Sequence, residues 1–151
     1  MKPTQMTMRL SLVCAVVLAL VLQAGQVLAQ GRGAYKVVVN PSIPISSISR
    51  DELSRIFLKK ASKFHDGHGA TPIDLPSSSG VRDAFSRDIH GKPTSAVEAY
   101  WQQQVFSGRE VPPAEKSEAA AVDFVRSNSN GIAYVSPGAD TEGLKVISVT
   151  D

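Results

Sequence analysis

The chain holds 151 residues, 20% of them charged and 42% hydrophobic, with a formal net charge of +2 and a single cysteine. That length allows one compact domain, and one cysteine excludes an intrachain disulfide. No cluster of Lys or Arg with interleaved aromatics is present, which argues against a nucleic-acid groove.

Lys2 and Arg9 precede an apolar run from Leu10 to Leu22, and Val27-Leu28-Ala29 offers a small-residue cleavage site before Gln30. This pattern predicts a cleaved secretory signal peptide over residues 1–29 and one periplasmic or secreted domain over residues 30–151. The apolar run is short for a membrane span, so no membrane insertion is expected after cleavage. Cys14 leaves with the signal, as do Lys2 and Arg9, and the remaining domain is formally neutral. Without disulfides, its core must suffice alone.

Tyr35 to Asn40 reads as a strand with a buried β-branched centre. Pro41 and Pro44 make Pro41–Ser47 a connector. Ser49 and Glu52 form a capping box for a short helix whose stripe is Leu53, Ile56 and Phe57. Lys59, Lys60 and Lys63 follow its end, where cations suit the helix dipole. His65-Asp66-Gly67-His68-Gly69 is a turn, and Thr71–Leu75 a second strand.

Pro76-Ser77-Ser78-Ser79-Gly80 then opens a helix with Val81, Phe85 and Ile89 on its apolar face. Two readings compete here. The first helical turn carries unpartnered N–H groups and partial positive charge, so three hydroxyls and a glycine make a cradle for a small oxyanion. The same residue types are ordinary N-caps. Arg82 is either a fork for that oxyanion or a solvated residue on the outer face. Gly91-Lys92-Pro93 ends this helix. Ser95–Phe106 is predicted as the next, with Val97, Tyr100, Trp101 and Val105 on one face, and Gly108 with Pro112-Pro113 forces an extended connector. A fourth helix spans Ser117–Ser127, followed by strands Ile132–Val135 and Leu144–Val149. Interleaved strands and helices predict an α/β sandwich.

Leu53-Ser54-Arg55-Ile56-Phe57-Leu58-Lys59-Lys60 with Lys63-Phe64-His65-Asp66-Gly67, then Ser79-Gly80 opening a helix that holds Phe85, then Asn130-Gly131-Ile132-Ala133-Tyr134-Val135 occur in one order and spacing. Together they resemble the periplasmic phosphate-binding proteins of ABC transporters, over about Val37 to Val149. Tyr100-Trp101 and Phe106-Ser107-Gly108 resemble short, single-lobe relatives of that family. The resemblance implies a single lobe of a class II periplasmic binding protein, a mixed sheet flanked by about four helices. It also implies a phosphate-like anion at Ser77, Ser78, Ser79, Gly80 and Arg82. Two positions depart from the family pattern. Val81 stands where the family has threonine, and Asp74-Leu75-Pro76 where an arginine is usual. The family's other lobe is absent, so half a cage with two donors removed is expected to bind phosphate weakly.

Other chemistry finds less support. His65, Asp66 and His68 lack a third metal ligand at a known spacing, so no metal is assigned. Ser77–Ser79 lacks the glycine of a nucleophile elbow, so the chain is read as non-enzymatic and without cofactor. Tyr100, Trp101 and Phe106 are read as core, with a partner surface as the alternative. The function expected is an exported solute-binding-like module. The alternatives are an envelope protein-interaction or sensing module, or a lobe that pairs with a second copy of itself.

Overall fold

Three consecutive valines, Val37, Val38 and Val39, leave water almost completely in the computed structural model, which describes residues 34–151. The signal-peptide reading, with Cys14, lies outside the described residues. A run of β-branched side chains buried on both faces marks a strand covered from above and below. These residues form β1 (Lys36–Val39), which lies inside a sheet of six strands among the described residues. The others are β2 (Ser47–Ser49), β3 (Thr71–Asp74), β4 (Ala114–Glu115), β5 (Gly131–Val135) and β6 (Lys145–Thr150), in the spatial order β2-β6-β1-β5-β3-β4. β1 pairs antiparallel with β5 and β6, whereas β2–β6, β3–β5 and β3–β4 are parallel. The sheet is mixed, as expected.

Both edge strands, β2 and β4, are absent from the sequence reading. They hold three and two residues. Too short to carry a hydrophobic period, they exist because a neighbour supplies the ladder, and their brevity limits edge-to-edge association. Pro72 also fits its strand. Thr71 N–H donates toward β5 at Asn130 and the Asp74 carbonyl accepts on the β4 side from Lys116. Alternation therefore turns Pro72 toward β4, ahead of that strand's first residue, where no donor is needed.

Four α-helices among the described residues accompany the sheet: α1 (Arg50–Phe57), α2 (Gly80–Phe85), α3 (Thr94–Phe106) and α4 (Glu118–Ser127), with α2 running on into a π-helical turn at Ser86–His90. Ser49, Ser79 and Ser117 cap α1, α2 and α4, each accepting a backbone N–H at 3.2–3.3 Å. The capping box predicted for α1 forms by half, because the Glu52 carboxylate turns instead to the backbone and ring of His65. α3 has no capping side chain of its own, and Asp83 of α2 accepts from both Thr94 N–H and Thr94 Oγ1 at 3.2 Å.

The alternation of β5 assigns the faces. Tyr134 points to α1 and α2, stacked on Phe85 at 3.8 Å between centroids and tilted against Phe57 at 5.4 Å. Gly131, on the opposite face, meets α4 so closely that a Cβ there would lie 2.8 Å from Val125 Cα and 3.0 Å from the Asn128 carbonyl. Asn40 ties the end of β1 to the same helix, donating to the Val125 carbonyl at 2.8 Å. Because the atoms facing Gly131 are backbone, Gly131→Ala should lower unfolding stability by about 1–3 kcal/mol. Gly138→Ala, where a Cβ meets open space, should stay within about 0.5 kcal/mol of wild type. Urea denaturation of the two variants side by side checks this.

Candidate functional site

The chain leaves β3 at Asp74 and turns through Leu75 and Pro76 into α2. The Pro76 carbonyl accepts the Ser79 N–H at 2.9 Å, and the Ser79 carbonyl accepts the Asp83 N–H at 3.1 Å as the first helical bond. Ser79 Oγ accepts from the Arg82 N–H at 3.3 Å, which is a capping contact. The N–H groups of Gly80 and Val81 precede the first helical bond and have no acceptor within the helix. Ser77, Ser78 and Gly80 are exposed and Ser79 is half-buried. Four of the five sequence-predicted site residues therefore share one open turn, with the Ser79 hydroxyl already engaged. Val81 turns inward and packs against the core.

Arg82 lies apart from them. It is not solvated on the outer face but 4% exposed. Nη1 donates to the Leu75 carbonyl at 2.7 Å and to Glu115 Oε1, and Nη2 lies 3.4 Å from Asp74 Oδ2. Asp74 Oδ1 accepts from the Tyr134 hydroxyl and from the Leu75 N–H at 3.0 Å. Burial pushes the Asp74 carboxyl above the usual carboxylate range, against the opposing pull of Arg82 and the two donors. Burial and the Asp74 charge push the Tyr134 hydroxyl up as well. The guanidinium fork is thus filled by protein acceptors, and an outside oxyanion would compete with two carboxylates for it.

On the far side of α2, the His90 ring joins Ser54 of α1, with Nδ1 2.8 Å from Ser54 Oγ, and stands edge-on to Phe85. This pair joins the end of the π-helical turn to α1. Burial, reinforced by the charges of Arg82, Lys60 and Lys92, lowers the His90 pKa from 6.5 to about 4. The turn histidines are occupied: His65 meets Glu52 at 3.0 Å and His68 meets Asp66 at 2.9 Å. No group of three or more metal-ligating side chains occurs among the described residues, and no helix among them is long and apolar enough to cross a membrane.

No family model and no curated protein matches the chain. Solved structures do. An ABC-type phosphate transport receptor from Vibrio cholerae superposes with a TM-score of 0.59 at 18% identity, over 77% of this chain and 46% of that one. A Clostridium perfringens protein described as a phosphate ABC transporter substrate-binding protein, solved with bound phosphate, gives 0.57 at 16% identity, over 77% of this chain and 44% of that one. PstS from Borrelia burgdorferi gives 0.53 at 17% identity, over 78% and 47%. The fold is shared with phosphate-binding proteins of ABC transporters. This chain spans less than half the length of each of these three neighbours.

The Asp74–Tyr134–Arg82–Glu115 cluster was not legible beforehand, since its members come from four separated stretches of chain. Only the isolated Asp at a strand end hinted at a buried acid. Removing the cation leaves Asp74 buried with its charge uncompensated, so Arg82→Leu should cost about 3–5 kcal/mol in urea denaturation. For His90 the sign follows from its lowered pKa. Its stabilisation is complete above pH 6.5 and is lost as pH falls toward about 4, because the unfolded chain takes up the proton first. Thermal melts from pH 7 to pH 4 should therefore fall less steeply for His90→Asn than for wild type, the difference reaching at most about 3 kcal/mol.

Proposed function

We propose that the domain is an exported solute-binding-like module that holds a small, phosphate-like oxyanion weakly at the turn Ser77, Ser78, Ser79 and Gly80. The observation that carries this reading is the open start of α2. There two exposed serines stand next to the N–H groups of Gly80 and Val81 in sequence, on a fold shared with proteins named for phosphate transport.

The binding is weak for a physical reason. A dehydrated anion needs several aimed donors to offset lost hydration. Val81 supplies only its backbone N–H, Ser79 Oγ already accepts a helix bond, and Arg82 is neutralised by Asp74 and Glu115. No catalytic step is assigned, and the Vibrio and Clostridium neighbours are named for phosphate transport and substrate binding.

Calorimetric titration of the protein with phosphate and sulfate tests the reading, with Ser78→Ala as the site variant because Ser78 is exposed and makes no cap. Saturable binding in the millimolar range that Ser78→Ala weakens is the expected result. No heat at millimolar ligand, or binding indifferent to Ser78→Ala, overturns it.

A further inference from the structure

Four large apolar side chains stay exposed among the described residues, and three gather at one place. Val105 is 50% exposed, Phe106 91% and Val111 56%, at the end of α3 and in the connector that leads to β4. Trp101, Val105, Phe106 and Pro112 wall a cavity of about 390 Å³, within the range of small-ligand clefts. Tyr100, Trp101 and Phe106 are read from the sequence as core, with Val105 on the helix face of Trp101; Phe106, almost wholly exposed at the end of α3, departs from that reading. Trp101 is indeed buried, but it lies outside the main core cluster, at this cavity, and Val105 opens onto it.

The charged groups that line the cavity are Glu98, Glu115 and Arg82. Arg82 is committed to Asp74 and Glu115, while Glu98, one turn before Gln102 on α3, makes no hydrogen bond or ion pair among the described residues. Carboxylates outnumber the single guanidinium even when Asp74 is protonated. An anion entering here would have to displace Glu115 from Arg82, and a cation would displace nothing. The aromatic faces of Trp101 and Phe106 favour the same sign of charge.

We propose that the groove between α3 and the connector to β4 binds a small organic ammonium ion, with its aryl or alkyl stem against Trp101, Val105, Phe106 and Pro112 and its cationic head at Glu98. This site is separate from the oxyanion turn, takes ligands of opposite charge, and stands or falls independently of it.

Trp101 is the only tryptophan in the chain, so tryptophan fluorescence, excited beyond tyrosine absorption, reports on this cavity alone. The protein is titrated with phenethylammonium, with its neutral counterpart 2-phenylethanol and with phenylacetate at one ionic strength. A saturable change is expected, with the ammonium bound about tenfold more tightly than the alcohol and phenylacetate not at all. Glu98→Gln should erase most of the preference for the ammonium over the alcohol. Phe106→Ala, at a side chain the fold leaves exposed, should weaken the ammonium about fivefold with the circular dichroism unchanged. Equal affinity for amine and alcohol overturns the proposal, as does the absence of saturation by the amine or a preference that survives Glu98→Gln. Competition by inorganic phosphate overturns it too. A lysine-containing peptide that binds more than tenfold more tightly than the free amine would assign the groove to a protein partner and overturn the small-solute form.

Discussion

A guanidinium withdrawn from water has to be met by acceptors, and in this domain that requirement organises one whole side of the sheet. Arg82, in the first turn of α2, has the Leu75 carbonyl, Asp74 and Glu115 around its guanidinium. β3 supplies Asp74, the strand-to-helix turn supplies the carbonyl, and the two-residue β4 supplies Glu115. Tyr134 brings in β5 by donating to the other oxygen of Asp74 while its ring stacks on Phe85. A strand as short as β4 has little to hold it in register, and the ion pair adds a side-chain tether to the ladder at Asp74 and Glu115. Buried ion pairs of this kind contribute little net stability against an apolar replacement, yet they penalise every arrangement that separates the partners.

The same contact shapes what the surface can bind. A shared fold does not carry a shared ligand with it, because binding resides in particular side chains and their charge state. Here the strongest cation near the serine turn is turned inward and neutralised. What remains outside is a set of hydroxyls and backbone donors on one flank and, on the other, an apolar groove with an excess of carboxylate. On the two readings proposed above, the flanks of Arg82 take ligands of opposite charge, and a single buried residue lies between them.

The regular elements were largely legible in the sequence. Val37–Val39, the Leu53, Ile56 and Phe57 stripe, Ser79 and Ser117 before their helices, and Ile132–Val135 all form the structures that periodicity and capping chemistry imply. Features that depend on distant partners were hidden. β2 and β4 are too short to show a pattern, and Glu52 abandons its capping box for His65, a residue well down the chain. Arg82 follows the same logic. Its position just past a serine-glycine turn suits an anion site, but Glu115, which occupies the guanidinium, comes from the far side of α3. Helical spacing likewise placed Val105 with Trp101 without revealing that α3 projects its last turn beyond the body it packs on.

The position of β6 has a consequence for how the domain is made. β6 lies between β2 and β1, so the final stretch, Lys145–Thr150, is an interior member of the sheet and not a trailing edge. β1, near the start of the domain, has β5 and β6 as its only partners, both from residue 131 onward. A ribosome working from the N-terminus therefore releases β1 long before either neighbour exists, and nearly every pairing of the sheet's centre is long-range in sequence. The centre of the sheet therefore closes only when stretches as distant in sequence as Lys36–Val39 and Lys145–Thr150 come together.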